Sequence, residues 1–363
     1  MTTNEKLIFM TGGGTAGHIT PNLALRQALE KEGFQVEYLG RKDSMEYQLV
    51  TKAGIPFLTM NSGRINRSLE PKLLLETLLL PGRVIQGIFQ AVRWIKKKHP
   101  ALIFCKGGFV SFPAAVAGRL TKTPVVLHES DLTPGLANKM CIPFSNVLCT
   151  TFEETLQYLP KGKAVYTGSP IRQELSEGVK SRGFQLTGLN EDGKPVLLIV
   201  GGSQGAKAIN DAVKESLPQI LEKFQVVHLY GNKSGYEPPK AEGYCPLAYA
   251  GEELKDLYAM ADLILGRAGA NSINEFLLLK IPSVLVPLPL DASRGDQILN
   301  AKNFEKNGFS FLLLQEEMNQ ETLLHALTTV YDHRQEYIAA MEGAGKNGVS
   351  EVVRVIKETI GTK

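Results

Sequence analysis

Cysteine is scarce in this sequence: Cys105, Cys141, Cys149 and Cys245 are the only four in 363 residues, and none are spaced C-x-x-C. That excludes a disulfide framework and argues against a zinc site, so buried reduced thiols are expected. No apolar run approaches the roughly 18 uninterrupted residues a membrane span requires. Neither sign of charge dominates: 40 Lys and Arg against 37 Asp and Glu leave a net charge of +3. That is too weak a field to argue for a nucleic-acid partner. Tryptophan occurs once, at Trp94. The N-terminus, MTTNEKLIFMTGGG, enters a strand and a glycine turn at once, so no signal peptide is expected. What is abundant is core-forming material. Hydrophobic residues are 43% and charged residues 21%, enough for two folded domains and not the composition of a disordered chain.

One stretch organises the rest. From Leu265 to Leu290 the chain reads LGRAGANSINEFLLLKIPSVLVPLPL. The apolar run ADLIL is a buried strand, Gly266 and Gly269 make a small-residue turn, and SINEFLLLK is a helix. Ser272 is the expected N-cap, and Glu275, three residues on, completes an S-x-x-E capping box. A strand feeding a small turn and a helix N-terminus suits an anion, because unpaired N–H groups and the helix dipole both favour phosphate. Glu275, one turn in, suits two neighbouring hydroxyls such as a ribose diol. The stretch reads as a grip on a sugar nucleotide. An ordinary βα unit closed by its own glutamate gives the same pattern.

The first half repeats the theme. Leu7–Met10 is a strand, residues 11–21 (TGGGTAGHITP) a glycine turn, and Asn22–Lys31 a helix. Gly12, Gly14 and Gly17 fit G-x-G-x-x-G, which raises a dinucleotide oxidoreductase. That reading needs an acidic residue at the tip of the second strand, QVEYLG. The strand ends at Gly40 and Arg41 with Glu37 inside it, so NAD loses its ribose contact while NADP keeps one through Arg41. His18 stands at a helix start among glycines, and an imidazole transfers protons near neutral pH. It could also merely cap the turn. A polar loop with two arginines, Ser62–Arg67, precedes the apolar stretch Leu73–Lys98, which Pro81–Gly82 should split into two helices. Val84, Ile85, Ile88, Phe89, Val92 and Ile95 recur there at helical spacing. Trp94 with Lys96, Lys97 and Lys98 suits a peripheral membrane contact. Helices flanking a parallel sheet look the same. Leu102–Cys105 ends in a second glycine turn, KGGFVSFP, and Pro124–His128 ends in H-E-S-D. His128 and Glu129 thus sit at a strand tip, where they could hold pyrophosphate, supply a base or bond to each other.

Residues 167–195 are rich in Gly, Ser and charge and read as a linker between domains at 1–166 and 196–345. Arg172 lies where it could reach into a cleft between them. Val196–Val200, the turn GGSQGAKAIN and a following helix echo residues 7–26. Strands at Gln225–Tyr230, Ala261–Leu265, Pro282–Val286 and Phe309–Leu313 continue a second sheet, and Asp296 and Gln297 open a further helix. The tail, Glu321 to Lys363, reads as helices, the last of which (346–363) should pack back on the first domain. The fold class is α/β, with two Rossmann-like domains built on parallel sheets.

GGGTAGHITP, KGGFVSFP, HESDLTPGLANK, GSPIR, GGSQGA, GRAGANSINE and DQILNA follow one another from residue 7 to about 301. In this order they resemble the MurG family, the UDP-N-acetylglucosamine transferases that convert lipid I to lipid II in peptidoglycan synthesis. The resemblance implies a GT-B architecture with the active site in a central cleft. The implied reaction is an inverting transfer of N-acetylglucosamine from UDP-GlcNAc to the C4 hydroxyl of the muramoyl-pentapeptide of lipid I. It implies donor contacts at Thr15, Ala16, Gly17, Arg172, Ser203, Ala270, Asn271, Ser272, Ile273, Asn274, Glu275 (on the ribose) and Gln297. The acceptor would lie near Gly14, Gly107, Gly108 and His128. His18 is the candidate base or acceptor-orienting group, with Glu129 as its rival. No cofactor or metal is implied. The apolar helices would rest on the cytoplasmic face of the cell membrane, near other cell-wall synthesis proteins. Ala16 replaces a usual glycine, Ala268 a common serine, and R-I-N-R the usual L-R-G. Asp131 stands where asparagine is usual, and an ionised carboxylate only accepts hydrogen bonds. Alternatives are another UDP-sugar-dependent GT-B transferase, an NADP-dependent oxidoreductase, or a non-catalytic sugar-nucleotide binder at the membrane.

Overall fold

The computed structural model describes residues 4–63, 80–202, 205–232 and 235–361. These group into two compact units, Met1–Arg172 with Asn347–Lys363 (unit 1) and Gln173–Lys346 (unit 2).

Unit 1 is built on seven strands: β1 Asn4–Thr11, β2 Gln35–Gly40, β3 Phe57–Thr59, β4 Pro100–Cys105, β5 Val125–Glu129, β6 Val147–Thr150 and β7 Ala164–Tyr166. Their order is β3-β2-β1-β4-β5-β6-β7, with every pairing parallel. The central strands are apolar at nearly every position because both faces are covered. Along β1, Leu7 and Phe9 enter one core while Ile8 and Met10 enter the other, as the two-residue period of a strand requires. The helices of this unit are α1 Ala16–Lys31, α2 Met45–Lys52, α3 Leu80–Lys98, α4 Ser111–Thr121 and α5 Leu136–Cys141. Ala91 and Ile95 of α3 pack on the Leu7 face beside Ala114, Ala115 and Ala117 of α4.

Unit 2 carries β8 Val196–Val200, β9 Gln225–Leu229, β10 Tyr244–Leu247, β11 Leu263–Gly266, β12 Ser283–Leu285 and β13 Ser310–Leu312, ordered β10-β9-β8-β11-β12-β13. Its helices are α6 Lys180–Thr187, α7 Lys207–Lys223, α8 Leu254–Met260, α9 Ala270–Leu279, α10 Asp296–Lys306, α11 Gln320–Asp332 and α12 Arg334–Met341. The last helix, α13 Val349–Gly361, belongs to unit 1, where Val352, Val355 and Ile356 join the core of α1 and β1. The two sheets share one order over six strands, unit 1 adding β7 at its edge, and in each the order reverses between the first and fourth strands. That reversal is where doubly wound sheets bind ligands.

Two local expectations change, and a third is met only over its described half. The first helix starts at Ala16, not Asn22, with Pro21 inside it. The stretch 167–195 contains α6, whose Phe184 is buried. Its glycines serve close packing: a Cβ on Gly178 would come within 2.0 Å of the Lys255 carbonyl oxygen of α8. Glycine richness here marks a tight helix contact, which in sequence looks like flexibility. Of the paired helices expected over Leu73–Lys98, α3 begins at Leu80 with Pro81 in its first turn, where a missing N–H costs little. Leu73–Leu79 and Arg64–Arg67 lie outside the described residues. The strands β3, β6, β7 and β10 were not anticipated; at three or four residues each they are too short to show a period.

Candidate active site

In unit 1 the site is built at the tips of β1, β4 and β5. The turn after β1 is held from below by a buried polar group. Asn22 of α1 donates through Nδ2 to the Thr11 carbonyl (3.3 Å) and to the Tyr38 hydroxyl (3.1 Å), and Tyr38 donates to the Gly12 carbonyl (2.5 Å). Burial pushes the Tyr38 phenol well above its usual range, so it stays a donor. Gly108 presses on this turn: its φ is +76°, and a Cβ there would stand 2.2 Å from the Gly13 oxygen.

His18 lies in the first turn of α1, half-buried. Its Nδ1 is 2.8 Å from the Gly13 carbonyl oxygen. A carbonyl can only accept, so Nδ1 carries the proton and Nε2 is the basic nitrogen. The Nε2 edge lies against Gly107, where an added Cβ would be 3.3 Å away. Gly107 therefore lies against the histidine and Gly108 against the Gly13 that holds it, while Gly14 and Thr15 are exposed.

The two residues at the tip of β5 are engaged internally. Glu129 is 4% exposed, and both carboxylate oxygens are in use. Oε1 accepts from the N–H groups of Ser130 (2.8 Å) and Asp131 (3.0 Å), and Oε2 from Gly135 N–H (2.9 Å) and Asn138 Nδ2 (2.8 Å). A carboxylate with four donors fixes the loop from Ser130 to Asn138. His128 is fully buried, with Nε2 3.2 Å from the Gly168 oxygen. Burial, and then the neighbouring Lys106 ammonium, holds it well below the usual imidazole range. Its ring is enclosed at the strand tip, with its bond to the Gly168 carbonyl. Lys106 itself was missed. It is 1% exposed, donates to Ser130 Oγ, and burial lowers its ammonium to about 8 against the pull of Glu129 and Asp131.

Unit 2 holds a cavity of about 610 Å³ at the tips of β8 and β11. Three helix N-termini converge on it: Ala206, Lys207 and Ala208 at α7, Gly269 and Ser272 at α9, and Gln297 at α10. The N-cap of α9 lies three residues before the expected Ser272. Gly269 is its N-cap, Ile273 N–H bonds to the Gly269 oxygen (3.1 Å), and no side chain caps it. The capping box of Ser272 and Glu275 is therefore absent. Starting the helix at Ala270 puts Ile273, Phe276 and Leu277 on the core side. It also leaves the first-turn amides without side-chain caps. Glu275 accepts instead from the Tyr258 hydroxyl at 3.0 Å. Asn274 turns back to the Ala270 carbonyl (2.7 Å), and Ile273 is fully buried, so neither side chain is aimed at a ligand. Ala270 is buried and Asn271 half-buried. Gln297 accepts from Leu288 N–H (3.1 Å) and so anchors the loop after β12.

Arg267, read from sequence only as part of a turn, lines this cavity. It donates to the Val286 and Pro287 carbonyls (3.1 Å each) and to Gln315 Oε1 (2.7 Å). Arg172, at the end of unit 1, has its Nε shielded from solvent with no hydrogen-bond partner among the described residues. Ser203 lies outside the described residues. Arg41 donates to the Gly63 carbonyl (3.3 Å), which engages the one side chain that kept an NADP reading open. Among the described residues no group of three or more His, Cys, Asp or Glu is placed to share a metal ion.

Residues 8–147 match the model of the glycosyltransferase family 28 N-terminal domain, and residues 196–356 that of the family 28 C-terminal domain. A Lachnoclostridium phytofermentans protein is 45% identical, with 97% of this chain and 99% of that one covered. It is named UDP-N-acetylglucosamine--N-acetylmuramyl-(pentapeptide) pyrophosphoryl-undecaprenol N-acetylglucosamine transferase. A Clostridium tetani protein of the same name is 43% identical, with 98% of each covered. The chain belongs to the MurG family of glycosyltransferases. The crystal structure of Acinetobacter baumannii MurG agrees with a TM-score of 0.75 at 28% identity, covering 97% of this chain and 99% of that one. Its α/β fold of two parallel-sheet domains is the GT-B fold of the family. Within that frame, the positions matched to the MurG family separate by unit. Thr15, Ala16, Gly17, His18 and Arg172 lie in unit 1, and the segment Ala270–Glu275 with Gln297 in unit 2.

Proposed function

We propose that this chain transfers N-acetylglucosamine from UDP-GlcNAc to the muramoyl C4 hydroxyl of lipid I, giving lipid II. The observation that carries the reading is the meeting of three helix N-termini on the unit 2 cavity. Such termini present unpaired N–H groups and positive dipole ends, which suit a diphosphate. We assign the ribose hydroxyls to Glu275, which lies one turn into α9 and accepts from Tyr258. The relatives named for this reaction, at 45% and 43% identity, support the choice of both substrates.

The chemistry then divides between the units. His18 Nε2, left basic by the Nδ1 bond to Gly13, takes the proton of the C4 hydroxyl as that oxygen attacks the anomeric carbon. The bond from that carbon to the diphosphate breaks, and the charge on departing UDP is met by the amides at α7 and α9. Fixed donors of this kind are worth about 10²–10³ in rate each. Glu129 keeps the β5 loop in shape and takes no part in proton transfer.

We place the chain at the cytoplasmic face of the cell membrane as a peripheral protein. Among the described residues no helix is long and apolar enough to cross a bilayer. On α3, Ile85 is 54% and Phe89 71% exposed, with Arg93, Lys96 and Lys97 further along the helix. Trp94 is not part of that exposed stripe, since its Nε1 donates to the Thr59 carbonyl (3.1 Å).

Incubation with labelled UDP-GlcNAc and lipid I is expected to yield labelled lipid II, with UDP-glucose and UDP-GalNAc poor substitutes. Binding of UDP without transfer would leave a non-catalytic sugar-nucleotide protein. Thermal stabilisation by NADPH instead of UDP would overturn the nucleotide assignment altogether.

A further inference from the structure

A buried polar chain in unit 2 is unused by the site above. Asn210 lies in the first turn of α7, 1% exposed, and its N–H bonds to the Ala206 carbonyl (2.9 Å). Its Nδ2 donates to the Tyr230 carbonyl just past β9 (3.0 Å), and its Oδ1 is 3.0 Å from Nε2 of His228, which is fully buried on β9. His228 Nδ1 is 2.9 Å from the Tyr244 hydroxyl of β10, and that hydroxyl is 3.2 Å from the Tyr236 hydroxyl.

Each link has one possible direction. The Tyr230 carbonyl only accepts, so Asn210 turns its amide N–H there and its oxygen to His228. Nε2 must then carry the ring proton. Burial lowers the imidazole to about 4, so the ring is neutral and Nδ1 accepts from Tyr244. The Tyr244 oxygen is left to accept from Tyr236. The bonds therefore run in one sense from half-buried Tyr236 to the start of α7, and aligned bonds of this kind reinforce one another. The described residues of the turn before that helix, Gly201, Gly202, Gly205 and Ala206, bring no polar side chain to hold it.

We propose that His228 is a positioning residue for the donor. Through Asn210 it fixes the first turn of α7, whose residues Lys207 and Ala208 line the cavity. The inference rests on the reading of that cavity as the UDP-sugar site. His228 and Asn210 are too buried to touch a ligand, so their effect is on how well the amides are aligned.

Calorimetric binding of UDP to the wild-type chain checks the cavity reading by itself; if UDP does not bind, that reading falls and takes this one with it. Given binding, His228→Leu should raise the KM for UDP-GlcNAc and the Kd for UDP about tenfold, or about 1.4 kcal/mol. Its kcat and acceptor KM should stay within about threefold of wild type. In His228→Gln the amide N–H replaces Nε2 toward Asn210, so most of the donor affinity should return. A residue that only fills the core would not be rescued by a polar substitute. Should His228→Leu fail to fold, Tyr244→Phe carries the test, with an expected rise in donor KM of about three- to fivefold from loss of one buried bond. An unchanged donor KM in either folded variant, or a Gln variant no better than Leu, overturns the assignment.

Discussion

In unit 1, Asn22 gives its amide protons to the Thr11 carbonyl and the Tyr38 hydroxyl, and Tyr38 returns to the Gly12 carbonyl of the turn itself. In unit 2 the equivalent asparagine, Asn210, points to β9 and onward to β10, away from its glycine turn. A second pair matches too. Lys106 N–H bonds to the Thr11 oxygen across the strand reversal of unit 1, and Arg267 N–H to the Val200 oxygen across that of unit 2. Each basic side chain then reaches the tip of the next strand, Ser130 in one case and Val286 with Pro287 in the other. The same frame thus locks its first turn in unit 1 and couples its first helix to an outer loop in unit 2. A locked turn suits a group that must hold a proton acceptor in register. A coupled helix suits a cavity that must be shaped around a nucleotide.

The sharpest way to break this contrast is kinetic. His18→Ala should lower kcat by about 10²–10⁴, the usual worth of a general base. Donor KM should stay within about twofold, since uniform binding is untouched. Glu275→Ala should do the reverse, weakening UDP-GlcNAc by about tenfold through loss of charged hydrogen bonds, with kcat nearly kept. If both variants changed the same constant, the division of labour between the units would be lost.

A smaller effect is expected from pH. His128 in unit 1 and His228 in unit 2 are both held neutral by burial, well below the usual range and at about 4 respectively. Unfolding exposes each to water, where it binds a proton near pH 6.5. The unfolded state therefore holds more protons below that pH, and stability present above 6.5 is lost as pH falls toward the folded values. For His228 the loss is about 1.4 kcal/mol per pH unit at its steepest, and roughly 3 kcal/mol in all by pH 4. Urea unfolding from pH 7.5 to 4.5 checks it. Trp94, in unit 1 and the only tryptophan, reports that unit by fluorescence, while circular dichroism reports both. His228→Gln should flatten the pH slope in circular dichroism and leave the Trp94 signal unchanged. His128 keeps a part of the slope in both proteins, so only a slope as steep as that of the wild type would mean that a group other than His228 titrates.

How far the fold could be read from sequence depended on strand length and on what glycine was doing. Val196–Val200 was placed to the residue because five apolar positions end in a double glycine. Gly178 misled, because close packing against α8 and a flexible linker ask for the same residue. Around the candidate site, the glycine turn that carries His18 was legible, and so was the strand, turn and helix of the Leu265–Leu290 stretch. Asn22, Tyr38, Lys106, Arg267 and His228 were not. Each is a polar residue inside or beside an apolar element, and its partner lies on another strand far along the chain. No local pattern carries that pairing; Asn22 and Tyr38 are 16 positions apart and Arg267 and Gln315 are 48.

The turn lock of unit 1 can itself be taken apart in two steps. Asn22→Ala strips donors from both the Thr11 carbonyl and the Tyr38 hydroxyl in a fully buried setting. It should cost about 2 kcal/mol, seen as an earlier Trp94 transition in urea. Tyr38→Phe removes only the hydroxyl, and with it the bond to Gly12 and the one accepted from Asn22, which keeps its bond to Thr11. Its cost should be about 1 kcal/mol, because the ring keeps its place against Phe57 at 5.9 Å. The informative comparison is with catalysis. Gly12 immediately precedes Gly13, whose carbonyl fixes the His18 tautomer. If the lock serves the base, Tyr38→Phe should lower kcat by severalfold at a stability loss too small to unfold the chain. A kcat equal to wild type would mean that the Gly13 bond sets His18 by itself, and that the lock below it serves only the fold.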